Sequence, residues 1–353
     1  MGAACTYLAT SKRAFPGARV PRAAMAHEHA VWIERFAARL GVPVRAAIVA
    51  LAVGTFLLFL LTRVLAGAPA VAAVALSDVL LFVLLVFPLA IPVYVRRLIV
   101  SLEAHALSMV ENPKAVREKL AALGRLGPVA VLTVAIFLSF VLPIIASGPP
   151  GPLLTAELLL LVPLAVAIWI TATALWTLGY SLAAIYRMGR LPLALQPFAL
   201  DRALGLRPFA TASLRLGGVY YLLSVLLILP DLLSPSTPAS VFVQDFALVL
   251  FGLPLFLLPL LSLRGKLVRA RAEKMAWVNA WFHRLVQRVE ANGEGDLPPG
   301  LQNELLSLDK VQREVQAIRT WPFDVGIVAR FVTILLSVTA ILLAAVIRSL
   351  LRI

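Results

Sequence analysis

The chain has 353 residues, 61% of them hydrophobic and only 14% charged, with a formal net charge of +14 and a mean hydropathy of +0.93. A soluble globular chain is nearer half apolar and a quarter charged, so this composition excludes an ordinary water-soluble domain and places the chain in lipid. The cations are spread among the segments between apolar runs rather than gathered in one stripe, which is the pattern of membrane topogenesis and not of a nucleic-acid-binding surface.

A single cysteine, Cys5, excludes an internal disulfide and a thiolate metal cluster. Residues 1–27 contain no acidic residue but carry Lys12, Arg13, Arg19 and Arg22. With no apolar core to this stretch, it is not a secretory signal peptide. It reads as a basic tail, or as an extension upstream of a start at Met25, in preference to an organellar transit peptide. From Ala30 to Leu40, Val31, Ile33, Phe36, Ala37 and Leu40 oppose Arg35 and Arg39, which suits a short helix lying on a membrane surface. Residues 1–45 thus form a basic tail and surface helix.

Seven runs then satisfy the span criterion of about 17–25 mostly apolar residues. They lie near 46–66, 71–95, 128–147, 153–178, 216–233, 241–263 and 325–347, the fifth being the shortest. The connections 67–70, 148–152 and 234–240 are tiny, uncharged and rich in Gly, Pro and Ser, so each joins antiparallel helices. The expected fold is therefore all-α. Three helical hairpins make a six-span bundle over 46–263, and a last transmembrane helix occupies 324–353. The second and sixth runs look alike: Ser77-Asp78 precedes Pro88, Pro92 and Arg96-Arg97, and Gln244-Asp245 precedes Pro254, Pro259 and Arg264. This hints at a parallel duplication, against which stands the ordinary tolerance of membrane helices for proline.

Charge sets the orientation. With seven spans, 28 of the 32 Lys and Arg fall on one face, all but Arg63, Arg330, Arg348 and Arg352. The positive-inside rule makes that face cytoplasmic, with the N-terminus inside and the C-terminus outside the cell membrane.

Between the sixth and seventh runs, 264–323 is the only long polar segment. Val278, Phe282, Leu285 and Val289 recur at helical spacing in a first arm. Leu301, Leu305, Leu308, Val311, Val315 and Ile318 do so in a second, with Glu304 as the one polar intruder. The run from Ala291 to Asp296, followed by Pro298-Pro299-Gly300, reads as a turn, so a cytoplasmic helical hairpin is expected. An apolar stripe on each arm must be buried somewhere. The arms 264–320 are expected to pack on each other, on a protein partner or on a second copy. Trp321 suits an interfacial aromatic anchor, Pro322 a helix start, and Asp324 the first turn, where it complements the helix dipole.

The run Asp201-Arg202-Ala203-Leu204-Gly205-Leu206-Arg207-Pro208 and the run Thr320-Trp321-Pro322-Phe323-Asp324 flank that amphipathic hairpin. Over roughly 190–350 the chain resembles uncharacterised prokaryotic multi-pass membrane proteins with such runs. The resemblance implies a multi-pass fold and carries no activity.

Ionisable groups within spans are costly and are by default functional candidates. Asp78, Glu157, Asp231 and Asp245 all fall toward the outer end, with Arg63 near the same level. Together they would form an outward acidic vestibule for a cation or proton. The plainer reading is that Glu157 and Asp231 sit at helix ends in contact with headgroup water, leaving Asp78 and Asp245 as the deeper pair. Arg330 reads as a snorkelling side chain.

Enzyme templates fail. His27-Glu28-His29 has no second cluster to complete a metal site, and no zinc-protease helix, nucleophile elbow or phosphate-binding glycine loop occurs. Ser77-Asp78 and Gln244-Asp245 lack the glycines of intramembrane aspartyl proteases, and 324–353 has no lysine for a retinal Schiff base. No catalytic residue, metal or cofactor is expected. The reading is a membrane scaffold or sensor acting through its hairpin, with a carboxylate-lined transporter or channel as the alternative.

Overall fold

The computed structural model describes residues 30–65, 76–110, 113–120, 125–147, 153–193, 195, 201, 203–233, 239–291, 299–321 and 325–351. Every regular element among them is a helix, apart from one isolated bridge between Val110 and Leu193. In chain order these are α1 (Trp32–Leu40), α2 (Val44–Leu65), α3 (Leu76–Leu107), α4 (Pro113–Leu120), α5 (Leu126–Ser147) and α6 (Leu153–Met188). There follow α7 (Arg207–Leu233), α8 (Ala239–Ala291), α9 (Pro299–Gln316) and α10 (Val325–Leu351).

Each of the seven apolar runs falls on a helix, α2, α3, α5, α6, α7, α8 and α10. Among the described residues, five stretches are long and apolar enough to cross a membrane: Val44–Leu65, Phe82–Leu107, Leu161–Met188, Arg207–Leu232 and Val241–Ala291. The run at 216–233, the weakest by sequence, is among them because its helix begins earlier, at Arg207. α5 is an apolar helix of 22 residues, of which the stretch Leu126–Ser139 has its side chains described. The expected connections 67–70 and 148–152, the 234–238 part of the third, and the turn residues 292–298 lie outside the described residues, as do residues 1–29.

The outward surface of these helices is apolar. Val49, Leu57, Leu61, Val131, Val134, Leu222, Leu250, Phe251 and Leu336 are all exposed. So extended an apolar surface would be a liability in water and is suited to lipid contact. Inside lipid every backbone N–H and C=O must be satisfied within the chain, and helices do this locally. The all-helical fold and its five span-capable stretches are the make-up of a multi-pass membrane protein.

α6 is the central helix, packing against α2, α3, α4, α5, α7 and α8. Nothing in its composition or spacing singles it out. Its buried residues mix small and hydroxylic side chains (Ala172, Thr173, Ala174, Thr177, Ser181 and Ala184) with large apolar ones, among them Leu178, Leu182 and Ile185. Small residues let helix backbones approach closely where lipid removes the hydrophobic drive for association. Thr173 donates to the Trp169 carbonyl at 2.8 Å and Thr177 to that of Thr173 at 2.9 Å, so these two hydroxyls cost little, whereas the Ser181 hydroxyl is buried with no hydrogen-bond partner among the described residues. The duplication suggested by sequence has a counterweight in the packing: α10 lies on α8 and α7, whereas α5 lies chiefly on α6.

Two features go beyond the sequence reading. First, Val31 and the α1 residues Ile33 and Ala37 are buried where α1 packs on α2 and α3, while Phe36 and Leu40 are exposed. The Glu34 carboxylate in its first turn forms an ion pair with Arg96 of α3, and both side chains are mostly buried. Gly41, at φ 65°, ends the helix in the left-handed conformation that glycine adopts without strain. Second, the first polar arm is not a separate helix. α8 continues for 53 residues from the sixth apolar run through Ala291, past Pro254 and Pro259.

α7 and α8 meet through glycines. A Cβ on Gly252 would stand 2.3 Å from Tyr220 Cε1, and one on Gly217 would stand 2.5 Å from Phe256 Cδ2. Tyr220 also donates its hydroxyl hydrogen to the Leu248 carbonyl at 2.7 Å. Gly218, next to Gly217, has no atom within 4 Å of an added Cβ. Gly252→Ala is therefore expected to lower stability in detergent by about 1–3 kcal/mol through overpacking. Gly218→Ala is expected to be neutral or to raise stability by up to about 1 kcal/mol through helix propensity. Thermal or denaturant unfolding of the two variants checks the opposite signs.

Candidate functional site

The residues singled out by sequence fall into three places. The first is the acidic end of the bundle, where α7 finishes and α8 begins. Asp231, in the last turn of α7, follows Pro230, and Asp245 is in the second turn of α8. The two helices that carry these carboxylates pack against each other. Asp245 is 9% exposed, and its Oδ2 has no hydrogen-bond partner among the described residues. A buried carboxylate oxygen without a partner is costly and is a group to explain. The side chains of Asp78 and Glu157, on α3 and α6, lie outside the described ones. Arg63, in the last turn of α2, is exposed. Of the five predicted pathway residues, the structure brings together Asp231 and Asp245.

The second place is the opposite, basic end, where the C-terminal part of α3 meets the start of α7. Here Asp201 and residues 203–206 form a compact turn. Asp201 accepts the Ala203 and Gly205 amides through its two carboxylate oxygens, both at 2.9 Å. Leu204 and Gly205 take left-handed φ values of 54° and 82°, and the Leu204 amide donates to the Asp201 carbonyl at 2.9 Å. The turn is pinned to α3, because His105 Nε2 lies 2.9 Å from the Gly205 carbonyl. The His105 ring also rests 5.8 Å from that of Phe209, which is fully buried. Glu103, two residues before His105, is fully buried as well. Sequence reasoning missed Glu103 and His105 as structural residues. They stood in a stretch assigned to a polar connection, and nothing in their local spacing marks them.

The third place is the distal half of α8 with α9. Val278 and Leu285 of α8 and Leu308 and Val315 of α9 are each no more than 2% exposed and belong to one cluster, with Ile318. Leu301 packs against that cluster, Val289 and Leu305 are half-buried, and Phe282 is exposed. Burial of such a side chain from water contributes roughly 1.5–3 kcal/mol, against about 0–1 kcal/mol for a surface ion pair. The stripe rather than charge holds α9 to α8. Glu304, the polar intruder, pairs with Arg288 across the two helices at 3.1 Å, with both side chains about half exposed.

Trp321, the expected anchor, is half-buried and lies under the Arg264 guanidinium, 4.6 Å from ring centroid to Cζ. That cation–π contact joins the two ends of the polar segment. Lys266 donates to the Leu191 carbonyl, fastening α8 to the chain that follows α6. Pro322 and Asp324 lie outside the described residues, as does the side chain of Arg330.

Among the described residues no group of three or more His, Cys, Asp or Glu side chains is placed to hold a metal ion. His27, Glu28 and His29 lie outside them. No family model matches the chain, and no curated protein or solved structure is similar to it.

Replacing Asp201 by Ala strands two amides of a buried turn. Stability is expected to fall by about 1–3 kcal/mol, with Asp201→Asn intermediate because one side-chain oxygen remains to accept. Unfolding midpoints of the two variants against the parent check the order.

Proposed function

We propose that this chain is a seven-span protein of the cytoplasmic membrane, with its N-terminus inside, its C-terminus outside, and a cytoplasmic helical hairpin formed by the distal half of α8 and by α9. In this reading it is a non-enzymatic scaffold or sensor. One observation carries the proposal: α8 passes from an apolar run into the polar arm as a single helix of 53 residues. A helix of that length is roughly 80 Å long, against a hydrocarbon core of about 30 Å. Its distal part therefore lies beyond the bilayer and moves with the buried part as one body.

The orientation follows from the 28 cations that seven spans place on one face. The partner surface is the side of the arms that α8 and α9 leave uncovered. Trp277 and Phe282 of α8 and Leu306 of α9 are exposed there, and the Trp277 ring lies 5.4 Å from that of Trp281, tilted by 44°. Aromatic groups are enriched among the residues that anchor protein interfaces.

Reporters fused to each terminus test the topology, with the N-terminal one protected and the C-terminal one accessible in intact cells. Both on one side would overturn seven spans. For the arms, a photo-crosslinking residue at Trp277 or Phe282 is expected to join the chain to a second polypeptide or second copy, and one at exposed Glu290 is not. Equal or absent cross-linking at all three positions would contradict a scaffold.

A second reading, a cation or proton pathway, rests on buried Asp245 beside Asp231, with Asp78 as a further member. Under that reading the purified protein in vesicles passes protons or cations, and Asp245→Asn cuts the flux at least about a hundredfold, the lower end of what a proton-transfer group contributes. Flux equal in parent and variant, or no flux from the parent, would remove it.

A further inference from the structure

The basic end carries a cavity that none of these readings uses. It measures about 320 Å³ and opens between α3, which contributes Leu98, Ser101 and Leu102, and the first turns of α7, which contribute Arg207, Thr211 and Arg215. Both arginines are exposed and lie on one face of α7, two turns apart, with Thr211 between them. Neither is paired with an acid among the described residues. Asp201, six residues before Arg207, is occupied by the Ala203 and Gly205 amides. Two unneutralised guanidinium groups flanking one cavity select for an anion, and their fork of donors matches a phosphodiester.

The rest of the lining narrows the ligand. Ser101 donates its hydroxyl hydrogen to the Leu98 carbonyl at 2.7 Å, and Thr211 donates to that of Arg207 at 3.0 Å. Both hydroxyl oxygens are thereby left as acceptors, suited to a ligand that brings hydroxyl donors of its own. Leu98, Leu102 and Ala212 make the remaining wall apolar. A free phosphate has no use for that wall, whereas a lipid has an acyl chain to lay along it.

From this geometry we infer that the α3–α7 cavity binds the headgroup of an anionic phospholipid, its phosphate between Arg207 and Arg215 and its glycerol hydroxyls toward Ser101 and Thr211. The inference rests on the bilayer reading, which sets the start of α7 at headgroup depth, and not on the scaffold reading. Basic pockets between membrane helices are recognised headgroup sites.

The test uses the full chain purified in an uncharged detergent, so it does not depend on membrane orientation. Phosphatidylglycerol, phosphatidylethanolamine, phosphatidylcholine and inorganic phosphate are added separately. Bound lipid is counted by native mass spectrometry, and the thermal midpoint is followed in parallel. Phosphatidylglycerol is expected to bind and raise the midpoint of the parent. Arg207→Gln/Arg215→Gln is expected to lose roughly tenfold or more in affinity, while Arg284→Gln on exposed α8 stays within about twofold of the parent. Binding of the zwitterionic lipids as strong as that of phosphatidylglycerol would overturn the inference. So would protection by inorganic phosphate alone, or retention of the lipid by the double variant. If the double variant does not stay monodisperse, the four-ligand comparison on the parent decides, together with the single variants Arg207→Gln and Arg215→Gln.

Discussion

The continuity of α8 is the constraint on which the rest depends. Proline at 254 and at 259 deletes two backbone donors, and each ring crowds the preceding turn. The helix nevertheless runs from Ala239 to Ala291. Its neighbours explain how. Phe256 fills the space beside Gly217, Tyr220 lies against Gly252, and Ser262 lies against Gly189. Two of these glycines lie on α7 and α8 and the third follows the end of α6, so α8 is held along its buried length by α7 and by the end of α6. The polar half then inherits its direction from the packed half.

That continuity explains why sequence and structure part company at 264. Composition changes sharply there, from an apolar run to Arg264, Lys266, Arg269 and Arg271, and a change of solvent was read as a change of element. Helical hydrogen bonding is indifferent to that boundary, since no glycine–proline pair or capping residue interrupts it. The apolar runs were legible because lipid imposes a strong compositional demand over about 20 residues at a time. The stripe positions Val278, Leu285, Leu308 and Val315 were legible for the same reason at smaller scale, through the helical repeat. The role of Glu304 was not, because its partner Arg288 stands on the other helix.

What sequence could not supply is long-range pairing. The contact of His105 with the Gly205 carbonyl joins residues 100 positions apart, and that of Lys266 with the Leu191 carbonyl spans 75. The nearness of Asp231 to Asp245 depends on how α7 and α8 cross, and the central place of α6 on the whole bundle. The burial of α1 is a similar case. An amphipathic 3.6 pattern fits a membrane surface and a protein groove equally well, and only the position of Arg96 opposite Glu34 decides between them.

At the basic end, the α3–α7 cavity and the turn that His105 pins to α3 lie at the start of α7, and Lys266 ties the start of the polar half of α8 to Leu191. An anionic headgroup seated in that cavity would join α3 to the first turns of α7. The most direct test of the central claim is a distance along α8 itself, with spin labels at exposed Ala247 and His283 in the full chain after Cys5→Ser. An unbroken helix puts these 36 residues roughly 54 Å apart, in one narrow distribution. A broad distribution, or one centred below about 40 Å, a separation that a straight helix of this rise cannot give, would mean that the polar arm bends independently of the bundle and would contradict the account.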